Sequence, residues 1–421
     1  MSERELIGLG GLVLLFFILA LRVPVGLAMI GIGIGGNYVL SLFFPFLRFE
    51  PYLQQFKSLF YGIVSNYELS VVPLFVLMGY LASQANLSRD LFQGVNAILG
   101  RFRGGVAMAA IGACAGFGAV CGSSLATAST MGKVALPSVA LVIYAVTVEA
   151  SIIQMFQAAI IPGLIAVAFF MGVIAIQVRL NPSLAPIPEP MAPAERREAL
   201  LRLIPVIVIF GSIILGLGAG LFTPTPAAGV GVFAILVYGA YMRLRGKGGL
   251  TFSGLKQSLR DTAVTTSMIF FILLGAEILK GFFSRANLPA YMAEAAATSG
   301  LDPWLIMVLM LLALIVLGCF MESLSMIVVI IPFFWPALVD INGGDWATAA
   351  TAAYGMGAED LKIWFGILAL IVVELGLITP PVGLNVFIIY ALADGVHMIV
   401  RIMLLIFVPV LTLFVPTFLG G

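Results

Sequence analysis

Long apolar runs, separated by short polar or proline-rich connections, dominate the pattern of this chain. Many of these runs approach the roughly 20 residues that an α-helix needs to cross a bilayer. The pattern therefore predicts an all-α, polytopic membrane protein. The runs are 6–22, 25–45, 70–86, 104–118, 138–150, 152–178, 203–222, 225–242, 262–283, 303–321, 363–378 and 382–418, of which the last is long enough for two passes.

Residues 49–67 depart from the simple spanning pattern. This stretch interleaves aromatic side chains with Glu50, Gln54, Gln55 and Lys57. Such mixing is typical of a helix that lies in the membrane interface.

Several other runs are too short for a full span or are interrupted by glycine and proline, and in transporters such interruptions indicate a binding site.

A proline-rich segment divides the chain into two halves that resemble each other. Residues 181–198 are dense in proline, which favours an extended connector. We expect a first repeat at 1–180, a connector at 181–202 and a second repeat at 203–421.

Matching motifs support an internal duplication, which in membrane proteins is often inverted. The second half also carries a surplus of residues between its polar segment and its last spans. The matching positions, each 199 to 201 residues apart, are Pro24 with Pro224, Ala85-Asn86-Leu87 with Ala286-Asn287-Leu288, Ser124 with Ser323, and Pro137 with Pro336.

Composition and charge narrow the class further. The chain is 62% hydrophobic and 10% charged, and its net charge of +1 gives no broad basic surface for nucleic acid. One histidine and three cysteines without close pairing leave little material for a transition-metal site or a Ser-His-Asp triad. The first apolar run is expected to be a retained span rather than a cleaved signal peptide.

The distribution of basic residues predicts the orientation. Positive charges favour cytoplasmic loops, so the N-terminus is expected outside. Arg22, in the first turn between spans, places the N-terminus outside, and the other basic loop residues are Arg101, Arg103, Arg196, Arg197, Arg202, Arg243, Arg245, Lys247, Lys256 and Arg260.

Two polar segments inside apolar surroundings are the candidate binding sites of the chain. Residues 116–137 and 318–336 each read as helix, polar tip, helix and proline exit, which predicts two re-entrant hairpins. Loosened backbone of this kind is tolerated at membrane depth only against protein or a wet cavity. Free carbonyls and hydroxyls there can hold a cation, and helix N-termini can hold an anion.

A third polar interruption lies at 379–385, where the sequence reads Thr-Pro-Pro-Val-Gly-Leu-Asn. Two prolines remove two N–H donors and free carbonyls one turn earlier, which predicts a broken helix. Carbonyl, hydroxyl and amide oxygens suit a small hard cation. A proline kink satisfied by neighbouring helices is the purely structural alternative for this motif.

Together these motifs resemble the large membrane subunit of tripartite ATP-independent periplasmic (TRAP) transporters, the DctM-type permease. The resemblance implies an elevator-type fold, with scaffold helices at 1–66 and 203–261 and mobile transport elements at 70–150 and 262–421. The motifs that carry it are Pro73 to Gly79, Gly122-Ser-Ser-Leu-Ala-Thr127, Gly132-Lys133, Met321-Glu322-Ser323 and 379–385.

The resemblance also implies a function, partners and a location. It implies sodium-driven uptake of a carboxylate-bearing organic acid across the bacterial inner membrane. The solute would be delivered by a periplasmic binding protein, and a small four-helix membrane subunit would brace the scaffold. Na⁺ would be the coupling ion, with no other cofactor.

Site residues are carried over position by position from the same resemblance. The tips of the two hairpins and the broken helix would supply both ligand sets. The sodium ligands would be Gly122, Ser123, Ser124, Ser323, Ser325, Thr379, Pro380, Gly383 and Asn385, and the solute ligands would be Ser124, Thr127, Glu322, Ser323 and Asn385.

One departure from the family pattern stands out. Family members place about 30 residues, a first broken helix, between the equivalents of Pro137 and Ser138. That segment is absent here, which would remove half of the ligands of a first sodium site.

Other readings stay open. These are a related carrier that works without a binding protein, a passive channel, and an intramembrane enzyme using Ser323 or Glu322, although no general base is placed to serve them.

The charged residues inside apolar runs each allow two interpretations. Glu277 and Lys280 can form a structural pair, and Glu374 lies either near the ion site or against a polar neighbour.

Overall fold

The computed structural model of the chain describes residues 2–21, 23–118, 138–185, 191–246, 248–319, 321–377 and 379. Within these ranges the chain forms 15 α-helices and no β-strand. They are α1 (Glu3–Ala20), α2 (Val25–Phe43), α3 (Phe49–Val64), α4 (Val71–Gln84), α5 (Leu87–Leu99), α6 (Gly105–Gly118), α7 (Ser138–Val148), α8 (Ile152–Leu180), α9 (Pro193–Gly218), α10 (Pro224–Leu244), α11 (Phe252–Arg285), α12 (Leu288–Thr298), α13 (Pro303–Gly318), α14 (Ser323–Asn342) and α15 (Ala358–Gly376).

Six of the described helices are long and apolar enough to cross a bilayer, which confirms the polytopic membrane class. They are α2, α8, α9, α10, α11 and α14, with mean hydropathy between 1.6 and 2.6. Helix α3 forms where the sequence predicted an interfacial helix. It meets the helix that follows, Glu68–Gln84, at an angle of 58°.

The matching Ala-Asn-Leu motifs fold into the same turn, as expected of a duplication. Asn86 and Asn287 both adopt the left-handed conformation, with φ of 63° and 60°. Asparagine is one of the few residues that tolerates it. The backbone N–H of Asn86 donates to the Ser83 carbonyl at 3.1 Å, and that of Asn287 donates to Ser284 at 3.0 Å. Each turn leads into a short helix, α5 or α12.

Helix contacts between the halves also come in matched pairs. Helix α2 packs on α11 while its counterpart α10 packs on α4, and α1 contacts α12 while α9 contacts α5. Each half therefore seats its short helix on the outer helices of the other half. Gly33 lies against the backbone of Ile278, so this glycine permits the close packing of α2 on α11, whereas Gly31 faces open space.

The halves differ at one corresponding place. Helices α3 and α4 are separated by a turn in which the Asn66 side chain accepts from the Glu68 N–H at 2.8 Å. About 200 positions later the chain runs as the single 34-residue helix α11. The first half is therefore bent where the second half is straight.

Two expectations about element ends need revision. Helix α14 was predicted to end at its prolines, but it continues through Pro332 and Pro336 to Asn342. Nearly all of this helix is buried against other helices, which can satisfy the carbonyls that proline frees. Helix α9 begins at Pro193, inside the expected connector, because proline is tolerated in a first helical turn.

Candidate functional site

The second hairpin is the part of the candidate site that the structure describes. Helix α13 ends at Gly318, and the Met321 N–H still donates to the Leu317 carbonyl at 3.2 Å. Glu322 then turns to an extended conformation, with φ −69° and ψ 150°, and occupies the position just before α14. Helices α13 and α14 pack against each other, so the predicted hairpin at this position is confirmed.

Two serines at the start of α14 carry the chemistry of the tip. Ser323 and Ser325 are 1% and 0% exposed. Neither hydroxyl has a hydrogen-bond partner among the described residues. A buried hydroxyl without a partner costs free energy, and native structures rarely keep one without a reason. The first backbone N–H groups of α14 also lack partners within the helix. This tip is therefore suited to a polar ligand.

The hairpin tip touches the end of α15 through two glycines. A Cβ on Gly318 would lie 3.0 Å from the Cα of Gly376, and one on Gly376 would lie 2.9 Å from the Cα of Gly318. Only glycine allows this approach. Helices α13 and α15 both end here, so the carbonyl-bearing, negative ends of two helix dipoles meet. Such an arrangement favours a cation.

Thr379 lies just past this contact. Its N–H donates to the Gly376 carbonyl at 3.0 Å, and its hydroxyl donates to the Leu375 carbonyl at 2.7 Å. The hydroxyl proton is thus used locally, while the oxygen keeps lone pairs that can bind a cation.

Helix α7 begins with a third buried serine, which the sequence analysis did not single out. Ser138 is 0% exposed, and its hydroxyl also lacks a partner among the described residues. Helix α7 packs against α14 and α15, and the Tyr144 hydroxyl donates to the Lys362 carbonyl at 2.8 Å. The available signal was its place directly after the first polar segment.

Several predicted residues lie outside the described part of the chain. Of the sites expected from the sequence, the structure describes Glu322, Ser323, Ser325 and Thr379. The residues outside the described ranges are Gly122, Ser123, Ser124, Thr127, Lys133, Pro137, Pro380, Gly383 and Asn385.

The embedded charges resolve in different ways. Lys280 Nζ lies 3.9 Å from Glu277 Oε1, and both side chains are about half exposed, which confirms the expected structural pair. Glu374 belongs to α15, near the helix end that precedes Thr379, and both of its carboxylate oxygens are shielded from solvent. Among the described residues, no three His, Cys, Asp or Glu side chains gather as metal ligands do.

These features define a polytopic α-helical membrane protein built from duplicated halves, with a helical hairpin at α13 and α14. Its family follows from comparison with known sequences. The model of the DctM component of tripartite ATP-independent periplasmic transporters matches residues 12–140 and 127–420, and the chain belongs to this family. The two matches overlap at 127–140, around the Pro137–Ser138 junction where the family pattern predicts a further segment.

Named relatives cover most of the chain. It is 27% identical to the C4-dicarboxylate TRAP transporter large permease protein DctM of Pseudomonas aeruginosa, over 92% of this chain and 94% of that protein. It is 27% identical to the sialic acid TRAP transporter large permease protein SiaM of Vibrio cholerae, over 83% of each. It is 24% identical to the isethionate TRAP transporter permease protein DctMQ of Oleidesulfovibrio alaskensis, over 79% of this chain and 53% of that protein.

Proposed function

We propose that this chain is the large permease of a sodium-coupled carrier that takes up an organic anion. The observation that carries the proposal is the pair of buried hydroxyls at Ser323 and Ser325, which have no hydrogen-bond partner in the described part of the chain and lie on the hairpin whose helix end at Gly318 meets Gly376. Hydroxyl and carbonyl oxygens are the ligands of Na⁺ in broken-helix carriers.

The same tip supports an anionic solute. The positive end of the α14 dipole lies at Ser323, and helix N-termini stabilise negative charge. The solutes named for the three relatives are a dicarboxylate, sialic acid and isethionate, all of which are anions at neutral pH. In our proposal, Na⁺ binds on the side of the tip where α13 and α15 end. There its positive charge lies between the anionic solute and the carbonyl groups of those two helix ends.

The mechanism we infer is an elevator. Sodium would first order the hairpin tips, and a periplasmic binding protein would then release solute onto the outer face. The unit that contains the hairpins would next slide inward past the scaffold, braced by a small membrane subunit. No bond is broken, because the work is desolvation of ion and solute followed by new coordination.

Uptake by purified protein in liposomes tests the proposal. The chain is reconstituted with its small membrane subunit, and radiolabelled anions are supplied with candidate binding proteins from the same genome. We expect uptake that needs an inward Na⁺ gradient, saturates, and falls at least about tenfold in Ser323→Leu, because a bulky apolar group would fill the tip.

The control is Ser299→Leu, since Ser299 lies at the exposed end of α12 and contacts none of these groups. Sodium-independent uptake would overturn the coupling. Sodium-dependent uptake without a binding protein would favour the simpler carrier instead.

A further inference from the structure

A buried carboxylate lies far in sequence from the hairpin, on helix α5. Asp90 is 3% exposed. The Tyr238 hydroxyl of α10 donates to Asp90 Oδ2 at 3.3 Å, and Arg202 Nη1 of α9 lies 3.6 Å from Asp90 Oδ1. We call these three residues the α5 anchor. They join a helix of the first half to two helices of the second half.

Burial makes this carboxylate dependent on its partners. Burial raises the pKa of Asp90, while Arg202 and the Tyr238 hydroxyl act in the opposite direction. Removing one partner of a buried ion pair is far more costly than removing both, because a lone charge is left in a poorly solvated place. An ionised Asp90 therefore stabilises the conformations in which α5 remains packed against α9 and α10, because only these keep the carboxylate beside Arg202 and Tyr238.

Packing along the same face of α5 strengthens the attachment. Gly94 lies one helical turn after Asp90, and a Cβ there would collide with the side chain of Leu203, next to Arg202. The two helices thus cross in close contact at the anchor. Arg202 is also held by Glu198, one turn earlier on α9, at 2.7 Å.

The points where α5 can turn lie at its two ends. Asn86 precedes it with φ 63°, and Gly104 follows it with φ 74°, before α6 begins. Helix α5 packs on α9 of the expected scaffold and on α6 of the expected transport unit. It is therefore the link between the two.

The opposite half repeats this arrangement with different residues. Helix α12 lies between Asn287 and Gly300, which has φ 69°. Arg285, just before it, donates to Asn37 Oδ1 of α2 at 3.0 Å. Arg285 is the last residue of α11, so this polar contact with the other half lies at the turn that leads into α12.

We propose that Asp90 is a positioning residue that keeps α5 fixed to the scaffold while the hairpin-bearing unit moves. This inference rests on the proposed transport function and revises the expectation that all of 70–150 moves together. Motion would occur at Asn86 and Gly104, at the ends of α5. The anchor would then set the rate of translocation and leave the affinities for ion and solute unchanged.

A double-mutant cycle that removes the charges of Asp90 and Arg202 tests the inference. The variants are Arg202→Met, Asp90→Asn and the double variant, studied in the complete carrier. The matched control is Arg197→Gln, because Arg197 is an exposed arginine on α9, the helix that carries Arg202. The readouts are solute uptake kinetics, the half-saturating Na⁺ concentration, and hydrogen exchange over residues 87–99.

We expect Arg202→Met to lower the maximal uptake rate about tenfold, with KM and the half-saturating Na⁺ concentration changed less than about twofold. Protection of 87–99 from exchange should fall in the same variant. The double variant should recover to within about threefold of the wild-type rate, because no buried charge is left alone. Arg197→Gln should match the wild type in every readout.

Additive effects in the cycle, or a proportionate change of KM, would overturn the anchor. Exchange over 87–99 needs no transport, so it separates the two hypotheses. Unchanged exchange in Arg202→Met overturns the anchor while uptake by the wild type still supports the carrier. Absence of uptake by the wild type would contradict the proposed transport function, whatever the result of hydrogen exchange.

Discussion

Gly318 and Gly376 meet backbone to backbone, with 2.9 Å between the Cα of Gly318 and the place where a Cβ of Gly376 would stand. This contact brings the turn of the hairpin beside the end of α15. In the proposed carrier the ion and the solute would both bind at this junction, so a change in its geometry should affect both.

Adding one methyl group at the junction should separate the two helix ends. Gly376→Ala is expected to destabilise the protein by about 1–3 kcal/mol, since the new atom meets backbone that cannot move away easily. Thermal unfolding in detergent measures this. The control is Gly229→Ala in α10, where nothing lies within 4 Å of the added Cβ. That change should be neutral or stabilise by up to about 1 kcal/mol. Equal effects of the two substitutions would contradict the close contact.

The Tyr144 hydroxyl should stabilise the packing of α7 against α15. It donates to the Lys362 carbonyl at 2.8 Å from a side chain that is 0% exposed. Tyr144→Phe keeps the ring and should cost about 1 kcal/mol for the lost hydrogen bond. Chemical or thermal unfolding of the purified protein checks it. Tyr61→Phe is the control, because Tyr61 is 73% exposed, and a loss there of similar size would refute the specific role of Tyr144.

The outer attachment of α12 should require the fork of an arginine. Arg285 donates to Asn37 Oδ1 at 3.0 Å and to the Arg48 carbonyl at 2.8 Å, and it stacks over the Tyr52 ring at 5.5 Å. Lysine keeps the charge but cannot hold this geometry. Arg285→Lys should therefore cost about 1–2 kcal/mol.

The matched control is Arg260→Lys, because Arg260 is an exposed residue of α11, the helix that ends at Arg285. This substitution should leave stability unchanged. Hydrogen exchange over 288–298 compares the two variants. Indistinguishable exchange over that segment would mean that Arg285 does not anchor α12.

The sequence allowed the helical class and the duplication to be predicted, because apolar runs and matching motifs can both be read directly from the chain. An apolar run predicts a span by itself, and asparagine in Ala-Asn-Leu can take the left-handed conformation that each turn uses. The second hairpin was also foreseen, since a polar tip between apolar helices has few other solutions.

Features that depend on distant partners could not be foreseen. Nothing near Gly318 in the sequence indicates Gly376, and Asp90 reads as an ordinary surface carboxylate until Arg202 and Tyr238 lie beside it. Helix α14 continued past Pro332 because burial by neighbouring helices outweighs the local preference of proline to end a helix. Tertiary packing decided all three.

Stabilisation of the protein by Na⁺ tests the central claim most directly. We expect Na⁺, but not K⁺, to raise the unfolding temperature, by linkage worth about 2.7 kcal/mol at 100 times the dissociation constant. Ser325→Ala should abolish this response without lowering stability in the absence of Na⁺, because its hydroxyl has no partner among the described residues. Ser299→Ala, at the exposed end of α12, should keep the full response. An undiminished Na⁺ response in Ser325→Ala, or none in the wild type, would contradict the account.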